Sequence, residues 1–252
     1  MSTFDDLLAE GEAVPTEGWD FSWFEGRATE ERPPWGYARL LAGRLAAARA
    51  ALDVQTGGGE VLAGALAAAS AVPPVLAATE PWAPNLALAR RALAPYGGTV
   101  EHVADTAGLP FPGARFDLVV SRHPVVTRWD EVARVLAPGG TYFSQQVGDG
   151  TLRELTDALM GPQTVSPVRN PLRAVAEAEA AGLTVVDLRQ RMLRIEFYDI
   201  AAVVHFLRKV VWTVPGFTVA AYREQLAGLH RFMERHGPFV AHSHRFLIEA
   251  RA

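Results

Sequence analysis

The sequence predicts an α/β domain built on a doubly wound, mostly parallel sheet. Two observations carry this. Short apolar segments alternate with stretches of ten or so residues at helical spacing through residues 50 to 147, the pattern of successive βα units. One of those segments, Phe116 to Ser121 (FDLVVS), is apolar almost without interruption, as a strand covered on both faces requires.

The elements follow in order. Residues 36 to 49 place Leu40, Leu41 and Leu45 on one helical face. Ala50 to Val54 reads as the first buried strand and runs into Thr56-Gly57-Gly58-Gly59, after which Val61, Leu62 and Leu66 mark a helix. Pro74 to Thr79 is a second strand, and Pro84 in a first helical turn opens the next helix. Gly98 to Ala104 and Phe116 to Ser121 are the third and fourth strands. Trp129 to Leu136 is a helix stopped by Pro138-Gly139-Gly140, and Thr141 to Val147 is the fifth strand. The rhythm then breaks. Asn170-Pro171 starts a helix ending at Gly182, Leu183 to Tyr198 is one long strand, residues 199–237 are helical with a turn at Trp212 to Gly216, and Phe239 to Ala250 is a last strand. Two late strands joined by a helical insertion suggest an antiparallel edge. The whole chain, 1–252, reads as one domain.

Composition narrows the function classes. The 252 residues carry a formal net charge of -4, which argues against a nucleic-acid partner. With no cysteine, the chain cannot form thiolate metal sites, disulfides or a cysteine nucleophile. No His-rich ligand set such as H-E-x-x-H occurs, so no metal is expected. Met1 to Gly11 lacks a basic-then-apolar leader and no apolar run reaches about 18 residues, so a cytoplasmic protein without a membrane partner, monomer or homodimer, is expected.

The chemistry concentrates at strand ends. Asp53 closes the first strand and is followed by the glycine loop, in which a missing side chain lets backbone approach a ligand. A dinucleotide fingerprint would need a third glycine where Leu62 stands, and Asp53 and Glu60 would repel a pyrophosphate. A cationic ligand suits the same carboxylates. Glu80 ends the second strand, where an acid can accept two ribose hydroxyls. Asp105 follows the third, placed to accept from an exocyclic amine. Each acid has a bland reading as a cap or turn residue; their joint placement favours one ligand.

The segments ALDVQTGGGE, VADTAGLPFPGARFDLVVS and EVARVLAPGGTYF, with Glu80, resemble the class I S-adenosylmethionine (SAM)-dependent methyltransferases, specifically the bacterial ubiquinone-biosynthesis type, over residues 36 to 150. The resemblance implies a seven-stranded sheet with an antiparallel final strand. It implies SAM as cofactor, with Asp53, Gly57 and Gly59 at the methionine moiety, Glu80 on the ribose, Asp105 and Thr106 at the adenine, and Ser121 beside the cofactor. One position departs: Gln55 stands where the family has its first loop glycine, and it either crowds the methionine end or hydrogen-bonds to it.

His123 lies two residues past the fourth strand, at the edge that would face the transferred methyl, and is either a general base or a packing residue. Its neighbour Arg122 either orients an anionic substrate or, the commoner case, is solvated. The aromatics Trp19, Phe21, Trp23, Phe24 and Trp35 of segment 1–37, together with residues 199–237, form either a lid over an acceptor or an ordinary satellite core. Methyl transfer to an O, N or C nucleophile of a small molecule is the expected activity. Its rivals are a nucleic-acid methyltransferase and a catalytically silent, SAM-binding subunit.

Overall fold

The computed structural model describes residues 2–16 and 21–252; Trp19 lies outside the described residues. Contacts divide the chain into two compact units. One comprises residues 1–32, 149–166 and 192–244, the other residues 33–148, 167–191 and 245–252.

The second unit holds the βα repeat. Its helices and strands are α2 (Tyr37–Ala47), β2 (Ala50–Asp53), α3 (Glu60–Ala68), β3 (Val75–Glu80), α4 (Ala83–Leu93), β4 (Thr99–His102), β5 (Phe116–Arg122), α5 (Trp129–Val135), β6 (Leu136–Val147) and α7 (Pro171–Ala180). The early part of β7 (Thr184–Phe197) and the late part of β8 (Phe239–Arg251) belong to it as well. Strand order here is β7-β8-β6-β5-β2-β3-β4. Pairs β2–β3, β2–β5, β3–β4 and β5–β6 are parallel, whereas β6 and β8 are antiparallel.

Successive residues of a strand face opposite sides, and both sides here are apolar. Ala51, Leu118 and Val120 join one core layer with Leu41, Leu45, Leu62 and Leu93. Leu52 and Val119 join the other with Phe116, Trp129, Val135 and Tyr142. Helices on both faces explain the uninterrupted FDLVVS run. Parallel connection also brings the C-terminal ends of β2, β3, β4, β5 and β6 to one edge.

The first unit has a core of its own. It contains α1 (Phe4–Ala13), β1 (Ala28–Glu30), α6 (Arg153–Met160), α8 (Ile200–Lys209) and α9 (Arg223–His236). β1 pairs antiparallel with the late part of β7. Leu8, Phe24, Leu155, Phe197, Val204 and Leu226 are buried together. Gly11 permits close packing of α1 on α8: a Cβ there would lie 2.6 Å from the Ala201 carbonyl oxygen.

The expectation of seven strands with only the last antiparallel is corrected. Among the described residues there are eight, of mixed orientation. Three-residue β1 is too short to show a period in sequence, and it forms because β7 offers a partner edge. The last strand, β8, lies between β7 and β6 and not at an edge. Helices α1 and α6 went unread: α1 sits in a polar stretch and is fixed by a Thr3–Asp6 capping box.

Candidate functional site

The site is built on the C-terminal strand edge of the second unit. Asp53 ends β2 and is 7% exposed. Its carboxylate accepts a hydrogen bond from the Thr56 hydroxyl at 2.8 Å. Burial, then the neighbouring Glu80 charge, outweigh that bond and push its pKa up to about 7.

Glu80 ends β3 and is 4% exposed. Oε2 accepts from the Gly57 amide at 2.9 Å, and Oε1 from the Trp82 amide at 3.1 Å. It therefore pins the glycine loop to β3. Each carboxylate oxygen can accept a second bond. Burial raises its pKa against the help of these amides.

The loop turns through left-handed backbone at Gln55 (φ 59°), Gly57 (67°) and Gly59 (84°). Gln55 thus has the conformation that a glycine adopts without cost. Its side chain points into neither of the two roles expected at the methionine end. The Gln55 amide group donates to the Val126 carbonyl at 2.8 Å and accepts from the Val125 amide at 2.6 Å, tying the loop after β2 to the loop after β5. Gly59 is needed for space as well: a Cβ would lie 3.1 Å from Ala89 Cα on α4.

Asp105 follows β4. One of its oxygens, Oδ1, is buried without a hydrogen-bond partner among the described residues, and burial raises its pKa. It lines a shallow cleft with Val54, Gln55, Leu109, Val126 and Tyr142. Thr106 is exposed and its carbonyl accepts from Arg128. Ser121 is buried; its hydroxyl bonds to those of Tyr142 and Ser144, each at 2.9 Å.

His123, also in left-handed backbone (φ 55°), is fixed from β6. Its amide donates to the Gln145 carbonyl at 2.7 Å. Its ring Nε2 lies 3.1 Å from Gln145 Nε2, while Gln145 Oε1 accepts from the Trp35 indole N–H at 2.7 Å. The indole can only donate, so Gln145 must present its NH2 to the imidazole. Nε2 of His123 is therefore an acceptor, and the ring proton sits on Nδ1. Burial, then the charges of Arg122, Arg245 and Arg169, hold its pKa well below the usual histidine value. The ring is neutral, with the lone pair that a general base would use already engaged.

Trp35 and Tyr37 are core residues that reach the site, since the Tyr37 hydroxyl donates to the Ser121 carbonyl at 3.0 Å. Sequence reasoning missed Gln145 and had Trp35 only as one aromatic of a lid or satellite core. The one available signal was the polar Gln145-Gln146 pair inside an otherwise apolar strand. Among the described residues no group of His, Asp and Glu could hold a metal ion, and no helix is long and apolar enough to cross a membrane.

Residues 52–144 match the family described as methyltransferase domain. A functionally unknown protein from Deinococcus radiodurans R1 is similar in structure, at 17% identity over 89% of this chain and 90% of that one, with a TM-score of 0.58. So is an S-adenosylmethionine-dependent methyltransferase from Mesorhizobium loti, at 17% identity over 86% and 97%, with a TM-score of 0.50. This is the fold of the SAM-dependent methyltransferases. It is shared by the 4+2 cyclase SpnF, at 17% identity over 85% of this chain and 79% of the cyclase, TM-score 0.51. No curated protein matches the sequence significantly.

Proposed function

We propose that the chain binds SAM at the β2–β3–β4 edge and transfers its methyl group to an O, N or C nucleophile of a small molecule. The observation that carries the reading is the trio Asp53, Glu80 and Asp105, carboxylates at three successive strand ends. Asp105 Oδ1 is buried without a hydrogen-bond partner among the described residues, and burial with the Glu80 charge pushes Asp53 up in spite of Arg122. A ligand bearing a cation at one end and hydrogen-bond donors along its length answers all three needs. Asp53 would face the methionine end, Glu80 would accept from the ribose hydroxyls with its free lone pairs, and Asp105 would accept from the adenine amine. Thr106 and Ser121 would flank it, while Gln55 would shape the loop from behind through Val125 and Val126.

SAM supplies an electrophilic methyl group on a sulfonium. The chain's task is then alignment and exclusion of water. His123, neutral and with Nε2 engaged, would act as a fixed hydrogen-bond donor, nearer to the packing role than to the general base of its two expected roles. In the helical insertion, Phe206, Phe217 and Tyr222 pack on their own unit's core.

Calorimetry tests the cofactor assignment. Wild-type protein should bind SAM and S-adenosylhomocysteine, and Glu80→Ala should weaken both by about 10- to 100-fold, the cost of losing bonds to a charged acceptor. Absence of binding at millimolar SAM would favour a fold member with other work, as the cyclase shows that this fold does not fix the reaction.

A further inference from the structure

Strand β7 lies between β8 and three-residue β1 in the strand order. β1 reaches only its last part: Glu30 stands opposite Ile195, and the Glu31 amide donates to the Arg194 carbonyl. Pro33 and Pro34 follow in the chain and have no N–H with which to continue a ladder. Residues 185–191 of β7 therefore present a row of backbone N–H and C=O groups that no strand pairs on that side among the described residues.

An open edge of this length is a template for another strand, and its side chains decide which strand it accepts. It reads Val185-Val186-Asp187-Leu188-Arg189-Gln190-Arg191. Asp187 and Arg189 share a face and form an ion pair at 2.8 Å, both side chains partly exposed. Val186 lies on the other face and is 48% exposed. Charges on an edge ordinarily keep other strands away, but these are placed to attract a second copy of themselves.

Two copies meeting edge to edge and antiparallel are related by a two-fold axis perpendicular to the sheet. Each side chain then keeps its face, so residues opposite one another are both odd or both even in number. Few registers remain. Centred on Asp187 or on Arg189, the pairing sets two like charges against each other across the axis. Centred on Gln190, it opposes Arg189 to Arg191 twice. Centred on Val186, it opposes Asp187 to Val185 and matches no charge. Centred on Leu188, it sets Asp187 of each copy against Arg189 of the other. With the pair already inside each chain, that makes four charges of alternating sign. Val186 then meets Gln190, Leu188 meets its own counterpart, and Val185 meets the aliphatic stem of Arg191.

We infer that the chain forms a symmetric homodimer by antiparallel pairing of residues 185–191 of β7 about Leu188, so that one sheet runs through both copies. A seven-residue edge is a small interface, and the dimer belongs in the micromolar range of affinity.

Sedimentation and light scattering of the full chain test this. Wild-type protein should pass from monomer to dimer as its concentration rises through the micromolar range. Asp187→Arg and Arg189→Asp each replace the alternating quartet by four like charges, and each should weaken the dimer by about 10- to 100-fold while circular dichroism stays that of the wild type. Mixed in equal amounts, the two variants should pair with one another about as well as wild type, because opposite charges face each other again. The chain has no cysteine, so Leu188→Cys supplies a single thiol on the axis. It should cross-link copies under mild oxidation, and Val186→Cys or Gln190→Cys alone should cross-link far less, since neither faces its own counterpart. A monomer at every concentration would overturn the inference and leave the edge to a different protein. A dimer indifferent to both charge reversals, or reversed variants that fail to rescue one another, would overturn it in favour of another surface.

Discussion

The β2–β3–β4 end of the strand edge carries carboxylates, and the β5–β6–β8 end carries arginines and a neutral imidazole. Burial acts on both in opposite senses. It raises Asp53, Glu80 and Asp105 and lowers His123 and Arg169, in every case toward the uncharged form. Arg122 links the two, since its charge lowers both Asp53 and His123. The contrast gives ways to break the division.

The largest effect is expected from moving a charge across it. Gln145→Glu places a carboxylate that can still accept from Trp35 but now faces His123 Nε2. An opposite charge at such range raises a pKa by about 1–3 units, so the ring should become protonated on both nitrogens at higher pH than in wild type. Ring chemical shifts followed against pH measure this directly. An unchanged titration would mean that Gln145 does not set the tautomer.

Asp53 comes next. A carboxyl whose folded pKa is about 7 against an ordinary 3.8 keeps in the folded state a proton that the unfolded chain has lost. Unliganded stability should therefore fall as pH rises from about 4 to about 7, and level off above. SAM affinity should run the other way, since a cation prefers the charged carboxylate: at pH 6 it should be about tenfold weaker than on the plateau above 7. Asp53→Asn should flatten both profiles. A SAM profile that is flat in wild type removes Asp53 from the methionine end.

Gln55 gives the smallest change, because two terms oppose. Gln55→Gly relieves left-handed backbone worth about 1 kcal/mol but loses two bonds to residues 125 and 126, worth about 0.5–1.5 kcal/mol each. Chemical denaturation should show a net change within about 1 kcal/mol. Gln55→Ala keeps the strain and loses the bonds, so it should be the less stable of the two. The reverse order would show that the left-handed backbone at residue 55 carries no cost.

Much of the parallel core was legible in the residues, for local reasons. A strand covered on both faces needs a continuous apolar run, as in Phe116–Ser121, and a strand end is marked where that run meets Asp53, Glu80 or the glycine loop. Those signals lie within a few residues of one another, so sequence suffices to place the acids. Short β1 and capped α1 escaped, since a few polar residues carry no period and their pairing is settled by contacts made elsewhere in their unit; α6 does bury Leu155 and Leu159 on one face, but that period lasts only two turns. What only the tertiary structure decided is the chemistry of His123. Its role depends on an amide 22 residues away in β6, whose orientation depends on an indole 110 residues from that amide. Sequence places a histidine past a strand end; the direction of its proton and the company of Arg169 and Arg245 follow from hydrogen bonds and charges brought together only by folding.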